Sequence, residues 1–338
     1  MKIIITGGAG FLGARLAREL LAAGSLSLNG RGAQRIERIT LADRVAPPAD
    51  LAADPRIEAA VGDLNDQLQP GAANLIAARA DVALLYHLAA AVSGECEANF
   101  DLGMHSNLAA THALLEASRA LRTQPMLVFA SSLAVFGQTP QLALPGTVTD
   151  STLPTPQSSY GVQKFIGEQM VADYGRKGFI RARNVRLMTV AVRPGKPNGA
   201  ASGFFSGMIR EPLAGVECTV PVAADTTVAL SSPARTIEGL LRAAQASDRD
   251  WGPLTAMNLP AMTTQVGAMA DALKNIAGDA YHALLKWHLD TKIEQIVQTW
   301  PARIASPRAH ALGLQADTDF STIVRAYISE NPDAVRKI

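Results

Sequence analysis

Tyr160 and Lys164 are four residues apart in Tyr160-Gly161-Val162-Gln163-Lys164, so on a helix both project from one face, a turn apart. A phenol with a reference pKa near ~10 is a poor base at neutral pH. An ammonium group beside it stabilises the phenolate and makes it a usable proton acceptor. The same spacing also describes an amphipathic helix with a solvated lysine, so the pair gains weight only from its surroundings. Upstream, Phe129-Ala130-Ser131-Ser132-Leu133-Ala134-Val135-Phe136-Gly137 places two hydroxyls just after an apolar run of strand type.

A second constellation opens the chain. Thr6-Gly7-Gly8-Ala9-Gly10-Phe11-Leu12-Gly13 sets Gly7, Gly10 and Gly13 between an Ile-rich strand and an Ala/Leu/Arg-rich helix. In that setting the first glycine permits the tight turn, the second lets backbone approach a pyrophosphate, and the third lets helix and sheet pack closely. Asp43 closes the following strand in Ile39-Thr40-Leu41-Ala42-Asp43, where a carboxylate accepts both adenosine ribose hydroxyls and repels a 2′-phosphate. That favours NAD over NADP, although Arg44 is a counter-signal. With a nicotinamide present, Lys164 has a further use as a hydrogen-bond donor to the nicotinamide ribose.

These residues require a scaffold, and the first half of the chain supplies a repeating βα pattern. Strands are expected at Ile3 to Thr6, Ile36 to Leu41, Ile57 to Val61, Val82 to Leu88, Met126 to Ala130 and Arg181 to Thr189. Helices are expected after the glycine turn to Gly24, from about Phe100 to Leu121, and from about Ser158 to Arg176. Ser25 to Gln34 reads as a polar loop that lengthens the path to Asp43, and Thr139 to Pro156 as a Pro/Thr loop. The fold class is α/β, a Rossmann-type doubly wound parallel sheet with a smaller C-terminal substrate-binding α/β portion. Residues 1–190 would bind the dinucleotide and carry the Ser, Tyr and Lys. Residues 191–338, where the βα alternation stops, would mainly bind substrate, with part of 230–255 packing back on the first portion.

The Gly-x-x-Gly-x-x-Gly turn, the serine segment and the Tyr/Lys pair, in this order, resemble the extended branch of the short-chain dehydrogenase/reductase superfamily, which contains the epimerases and dehydratases. The resemblance makes Ser132 the residue that hydrogen-bonds the reacting oxygen, with Ser131 as fallback. Phe136 departs from the tyrosine usual there. It further implies cofactor contacts at Phe11, Leu12, Asp63, Leu64, Leu88, Ala89 and Ala90, and a role for Asn107 in holding the active-site backbone. His87 is more readily a packed strand-end residue than an acid or base.

Finer similarity, in Ala91-Val92-Ser93-Gly94-Glu95, Val192 to Asn198, Ile209 to Leu213 and Ala311 to Asp317, runs to the sugar-acid dehydrogenases of that branch. It implies NAD-dependent oxidation at the C2 hydroxyl of a four-carbon sugar acid, with Tyr160 as general base. A carboxylate substrate needs a cationic or amide clamp, for which Arg193, Lys196, Asn198 and Arg235 are candidates, with Ser93 bordering the substrate. Two other readings remain. One is a nucleoside-diphosphate-sugar epimerase or dehydratase that retains its NAD. The other is a non-catalytic NAD(P)-sensing regulator, which would leave Tyr160 and Lys164 unexplained.

Composition narrows the partners. The 31 basic and 30 acidic residues are spread along the chain, so no strong field draws nucleic acid or an anionic membrane. The two cysteines, Cys96 and Cys218, lack metal or redox spacing and are expected to be reduced and buried, and no metal is expected. A cytoplasmic protein is expected, and a homodimer built on the apolar helix Phe100 to Leu121.

Overall fold

The computed structural model describes residues 1–71, 74–195 and 200–338. From the N-terminus the chain runs β1 (Lys2–Thr6), α1 (Phe11–Ala23), β2 (Ser25–Ser27), β3 (Ala33–Arg35), β4 (Arg38–Asp43), α2 (Ala49–Ala52), β5 (Ile57–Val61) and α3 (Leu64–Gln67). It continues through β6 (Val82–His87), α4 (Ser93–Ala98), α5 (Phe100–Gly103), a π-helical stretch (Met104–Ala109), α6 (Ala110–Ala120), β7 (Met126–Ser132), α7 (Ser159–Arg176) and β8 (Arg181–Leu187). After this the chain forms β9 (Thr189–Val190), α8 (Gly203–Leu213), β10 (Cys218–Val220), β11 (Thr227–Ser231), α9 (Pro233–Gln245), α10 (Asp248–Trp251) and β12 (Met257–Asn258). The remainder is β13 (Met262–Gln265), α11 (Val266–Ala277), α12 (Asp279–His282), β14 (Leu285–Trp287), α13 (Thr291–Gln298), α14 (Pro307–Ala311) and α15 (Phe320–Glu330).

The central sheet has seven strands in the order β12-β8-β7-β6-β1-β4-β5, and every pairing from β7 to β5 is parallel. Ile3, Ile4 and Ile5 of β1 are all buried, as a strand covered on both faces requires. Strand order reverses at β1, with β4 on one side and β6 on the other. The connections that leave the carboxyl ends of the paired strands β1 and β6 therefore run in opposite directions, which is the point where doubly wound sheets bind ligands. Helix α1 ends where Gly24 adopts φ 65° and returns its N–H to the Leu20 carbonyl, a left-handed cap that suits glycine.

The chain divides into two compact units that interleave, where a division at 190/191 was expected. The first contains Met1–Ser132, Ser158–Arg186 and Ile237–Met257, and the second Leu133–Gln157, Leu187–Thr236 and Asn258–Ile338. The core of the first includes Ile4, Leu85, Leu114, Leu127, Phe129 and Val171. The second has its own core, with Phe205, Ile209, Val228, Leu230, Met269 and Phe320 among its members. It carries the three-stranded sheet β13-β11-β9 and the parallel pair β10-β14.

Five local expectations need correction. Ser25 to Gln34 is not a plain loop: β2 and β3 form an antiparallel hairpin pairing Leu26 with Gln34. Its turn uses Asn29 and Gly30 at positive φ, and buried Leu26 anchors it while the polar residues face outward. The following strand starts at Arg38, not Ile36, and runs through Asp43. The helix expected over Phe100 to Leu121 is interrupted by six π-helical residues, a feature that often marks functional positions. The strand expected to reach Thr189 stops at Leu187, and Thr189–Val190 pairs with β11 in the other sheet. Both cysteines are free; Cys96 is buried, but Cys218 is only partly covered.

Candidate functional site

The glycine turn is held against the sheet by backbone bonds from Gly7 N (2.8 Å) and Gly8 N (3.3 Å) to the Ala42 carbonyl. Gly7 has φ 71°, and a Cβ there would lie 2.8 Å from the Ala89 nitrogen, so β-carbons are excluded by both conformation and space. At Gly13 a Cβ would lie 2.1 Å from the Gly7 carbonyl oxygen, which fixes how closely α1 packs on the turn. At Gly10 the same atom would meet only the Gly7 oxygen, at 3.2 Å. The space over Gly10, at the head of α1, is thus open. No side chain caps that helix and no acidic residue occupies its first turn. The N–H groups and positive dipole end at Phe11, Leu12 and Gly13 therefore face a cradle suited to a pyrophosphate.

Asp43 ends β4 beside this turn, where its Oδ2 accepts the Ala9 N–H at 3.0 Å. Asp63 caps α3 through the Asn65 N–H at 2.9 Å, and Leu64 begins that helix. The Asp63 carboxylate also lies 3.3 Å from His105 Nε2. Leu88, Ala89 and Ala90 follow β6 directly and are half-buried, with the Leu88 and Ala89 backbone against Gly7. His87 is fully enclosed, with Nδ1 2.6 Å from Thr6 Oγ1 and Nε2 2.9 Å from Thr111 Oγ1. Burial, with the Lys164 charge adding to it, pushes its pKa down to about 3. A neutral imidazole with both nitrogens engaged is a packing residue.

Asn107 lies in the π-helical stretch and is buried. Its Oδ1 accepts the Ala91 N–H (2.8 Å), while Nδ2 donates to the Ala91 carbonyl (3.2 Å) and to Gln163 Oε1 (2.8 Å). The side chain therefore pins the backbone just beyond β6 and ties it to α7. Ser93 opens α4 two residues later and is half-buried.

Helix α7 starts at an N-cap, Ser158, whose Oγ accepts the Gly161 N–H. Tyr160 is half-buried, whereas Lys164 is buried. Lys164 Nζ donates to the Ala130 carbonyl at 2.9 Å and stands 5.7 Å from the centroid of the Tyr160 ring. Burial lowers its pKa to about 8, against the opposing pull of Cys96 and Glu168. The two serines that end β7 differ. Ser131 is buried and donates to Glu168 Oε1 at 2.5 Å, while Ser132 is half-buried. The phenol, the ammonium and the end of β7 thus lie together on the first unit.

Among the proposed clamp residues, Lys196 and Asn198 lie outside the described residues. Arg193 belongs to the second unit, where its backbone N–H donates to Ser206 Oγ (3.0 Å) and its guanidinium to Ser202 Oγ (3.3 Å). Arg235 sits in the first turn of α9, half-buried, with its N–H on Ser232 Oγ at 3.2 Å. Among the described residues no group of three or more His, Cys, Asp or Glu could hold a metal, and no helix is long and apolar enough to cross a membrane.

Sequence reasoning passed over Gln163, Glu168 and Arg186. The signal was present. Glu168 extends the Tyr160, Lys164 spacing by one more turn, and Arg186 is a charge inside a buried strand, a placement that demands a partner.

The model of a family described as "NAD dependent epimerase/dehydratase family" matches residues 3–230. A D-erythronate dehydrogenase from Cupriavidus necator is 46% identical over 330 residues, covering 98% of each chain. A second D-erythronate dehydrogenase, from Haemophilus influenzae, is 38% identical over 97% of this chain and 99% of its own. Among solved structures, a nucleoside-diphosphate-sugar epimerase from Agrobacterium tumefaciens superposes with TM-score 0.87 at 35% identity, over 100% of this chain and 96% of that one. The L-threonine dehydrogenase of Clostridium difficile, at TM-score 0.82 and 19% identity over 99% of both chains, shares the fold.

Proposed function

The chain belongs to the NAD dependent epimerase/dehydratase family, and from that premise we propose that this NAD-dependent dehydrogenase oxidises the C2 hydroxyl of D-erythronate to 2-dehydro-D-erythronate. The observation that carries the reading is the buried Lys164 ammonium, fixed by the Ala130 carbonyl within 5.7 Å of the Tyr160 ring, on a chain whose full-length relatives share that activity in name.

The cradle over Gly10, with Gly7, Phe11, Leu12 and Gly13 around it, would hold the pyrophosphate of NAD. Asp43 would accept the adenosine ribose hydroxyls, Asp63 and Leu64 would bracket the adenine, and Leu88, Ala89 and Ala90 would leave room for ribose and phosphate. Bound NAD supplies the acceptor for the hydride that leaves C2. The chain must then manage the proton. Tyr160 as phenolate takes it from the C2 hydroxyl while Ser132 donates a hydrogen bond to that oxygen, and the C2 carbonyl forms as the C–H and O–H bonds break. Lys164 would stabilise the phenolate and, with NAD bound, would donate to the nicotinamide ribose. Ser131, already committed to Glu168, is the less suitable serine. Arg193 and Arg235 are the described cations we assign to the substrate carboxylate, together with Lys196 and Asn198, and Ser93 to the edge of the substrate.

The name of the Agrobacterium tumefaciens structure keeps an epimerase reading in view. An epimerase needs its NAD returned unchanged each cycle and tends to purify with it, whereas a dehydrogenase must release NADH. The experiment is oxidation of D-erythronate carrying deuterium at C2. A primary isotope effect and deuterated NADH support the reading. Label retained in the product places the reaction elsewhere, and release of bound NAD on denaturation together with turnover of a UDP-sugar would establish the epimerase.

We also infer a homodimer. Phe100 and Met104 before α6, and Val162 and Ile166 on α7, are exposed apolar residues spaced one helical turn apart within each pair. A monomer by light scattering would contradict this.

A further inference from the structure

Three consecutive residues at the end of β7 stand in three different settings. The Ala130 carbonyl takes the Lys164 ammonium at 2.9 Å, the Ser131 hydroxyl donates to Glu168 at 2.5 Å, and Ser132 is the one that remains half-buried. Tyr160, Lys164 and Glu168 follow one another at four-residue intervals on α7, so one helix face serves both the chemistry and its support. Glu168 is itself held from the neighbouring strand β8. Arg186 Nε and Nη2 reach its two carboxylate oxygens at 2.8 Å each, with both side chains buried. Asn184, two residues earlier on β8, donates to the Glu168 carbonyl at 3.0 Å, which locks that turn of α7 to the same strand.

A buried ion pair costs its desolvation and is weak evidence of stability, so its place against the residue that precedes Ser132 points to a positional use. From this geometry we propose that Glu168 and Arg186, acting through the Ser131 hydroxyl, are positioning residues that set where Ser132 stands relative to Tyr160. The inference rests on the oxidoreductase reading above for the role of Ser132. The bidentate fork fixes both carboxylate oxygens, and the fixed Oε1 fixes Ser131. Holding Ser131 on Glu168 fixes the backbone immediately before Ser132, and with it the point from which the Ser132 side chain starts. Lys164 on Ala130 is the second tether of the same short segment. Freeing one tether lets the serine move by a fraction of an ångström, enough to damage a reaction that depends on placement.

Ser131→Ala removes the tether and nothing else, and it leaves the Glu168–Arg186 pair intact. The expected result is a fall in kcat on D-erythronate of roughly tenfold or more, with the Kd for NADH by fluorescence unchanged within about twofold because the cradle is untouched. Glu168→Gln should lower kcat in the same way. The double variant should be no worse than the poorer single, since both act on one link. Crystal structures of native protein and Ser131→Ala provide a readout that needs no substrate, with the distance from Ser132 Oγ to Tyr160 Oη expected to change by about 0.5 Å or more. An unmoved Ser132, a Ser131→Ala kcat equal to native, or losses that multiply in the double variant would overturn the proposal. A native enzyme silent on D-erythronate would count against the substrate reading alone, because the crystallographic comparison still decides this one.

Discussion

The ammonium of Lys164 is bonded to the main-chain carbonyl of Ala130 at 2.9 Å, so the strand that ends in the two serines and the helix that carries the phenol are joined by a charged group with almost no access to water. Burial brings the Lys164 pKa from 10.5 to about 8, so the unfolded chain binds the extra proton between those values and native stability rises with pH across that window. Lys164→Met abolishes this slope. Urea unfolding at pH 8 and pH 10.5 should show the native protein gaining up to about 3 kcal/mol relative to the variant. The variant should also lose turnover at every pH. Parallel pH dependences in the two proteins would mean the lysine is not strained by its burial.

His87 makes a contrasting prediction on the acid side. Its folded pKa of about 3 lies below the ordinary 6.5, so its contribution is complete above pH 6.5 and is lost as pH falls toward 3. His87→Gln should flatten that part of the acid unfolding curve while leaving the neutral pH–rate profile in place. A missing limb in the rate profile would assign His87 an acid–base role that its enclosure by Thr6 and Thr111 argues against.

The glycine turn separates folding from binding. Gly13→Ala forces a Cβ to within 2.1 Å of the Gly7 oxygen and should destabilise the protein by roughly 1–3 kcal/mol or more. Gly10→Ala meets a single atom at 3.2 Å. It should melt within a few degrees of native yet bind NAD roughly tenfold or more weakly, because the methyl fills the phosphate cradle. Thermal melts combined with NADH fluorescence titrations check both, and equal NAD affinity in Gly10→Ala would remove the cradle from the account.

Asp43→Ala tests cofactor choice. Loss of a charged acceptor for two ribose hydroxyls should raise the Kd for NAD by about 10-fold to 100-fold, and removal of its charge should narrow the gap to NADP. Unchanged selectivity would shift attention to Arg44.

Much of this site could be read from the sequence because it is written in local spacing. Gly7, Gly10 and Gly13 between a strand and a helix, and Tyr160 with Lys164 one turn apart, need only the period of an element to be understood. The hairpin over Ser25–Arg35 escaped because two three-residue strands with a polar outer face look like any polar loop, and only the burial of Leu26 distinguishes them. The π-helical stretch around Asn107 has no side-chain signature, since it is defined by a backbone register that the Asn107 bonds to Ala91 and Gln163 accompany. The resemblance ranked Ser132 above Ser131, but the physical difference between them lies in Glu168 and Arg186 across α7, β7 and β8, a pairing that depends on sheet order. The clamp residues Arg193 and Arg235 stayed a proposal for the same reason: side-chain placement in the second unit does not follow from periodicity.

Proton removal by Tyr160 during the proposed oxidation of D-erythronate by NAD is tested by following NADH formation by absorbance with native protein and Tyr160→Phe side by side. The expected result is saturable NADH production on D-erythronate by the native protein, weaker activity with NADP, and a variant that still binds NADH with native affinity but turns over at least about 100-fold more slowly. Tyr160→Phe retaining native kcat would contradict the mechanism, and a native protein that forms no NADH from D-erythronate would contradict the function.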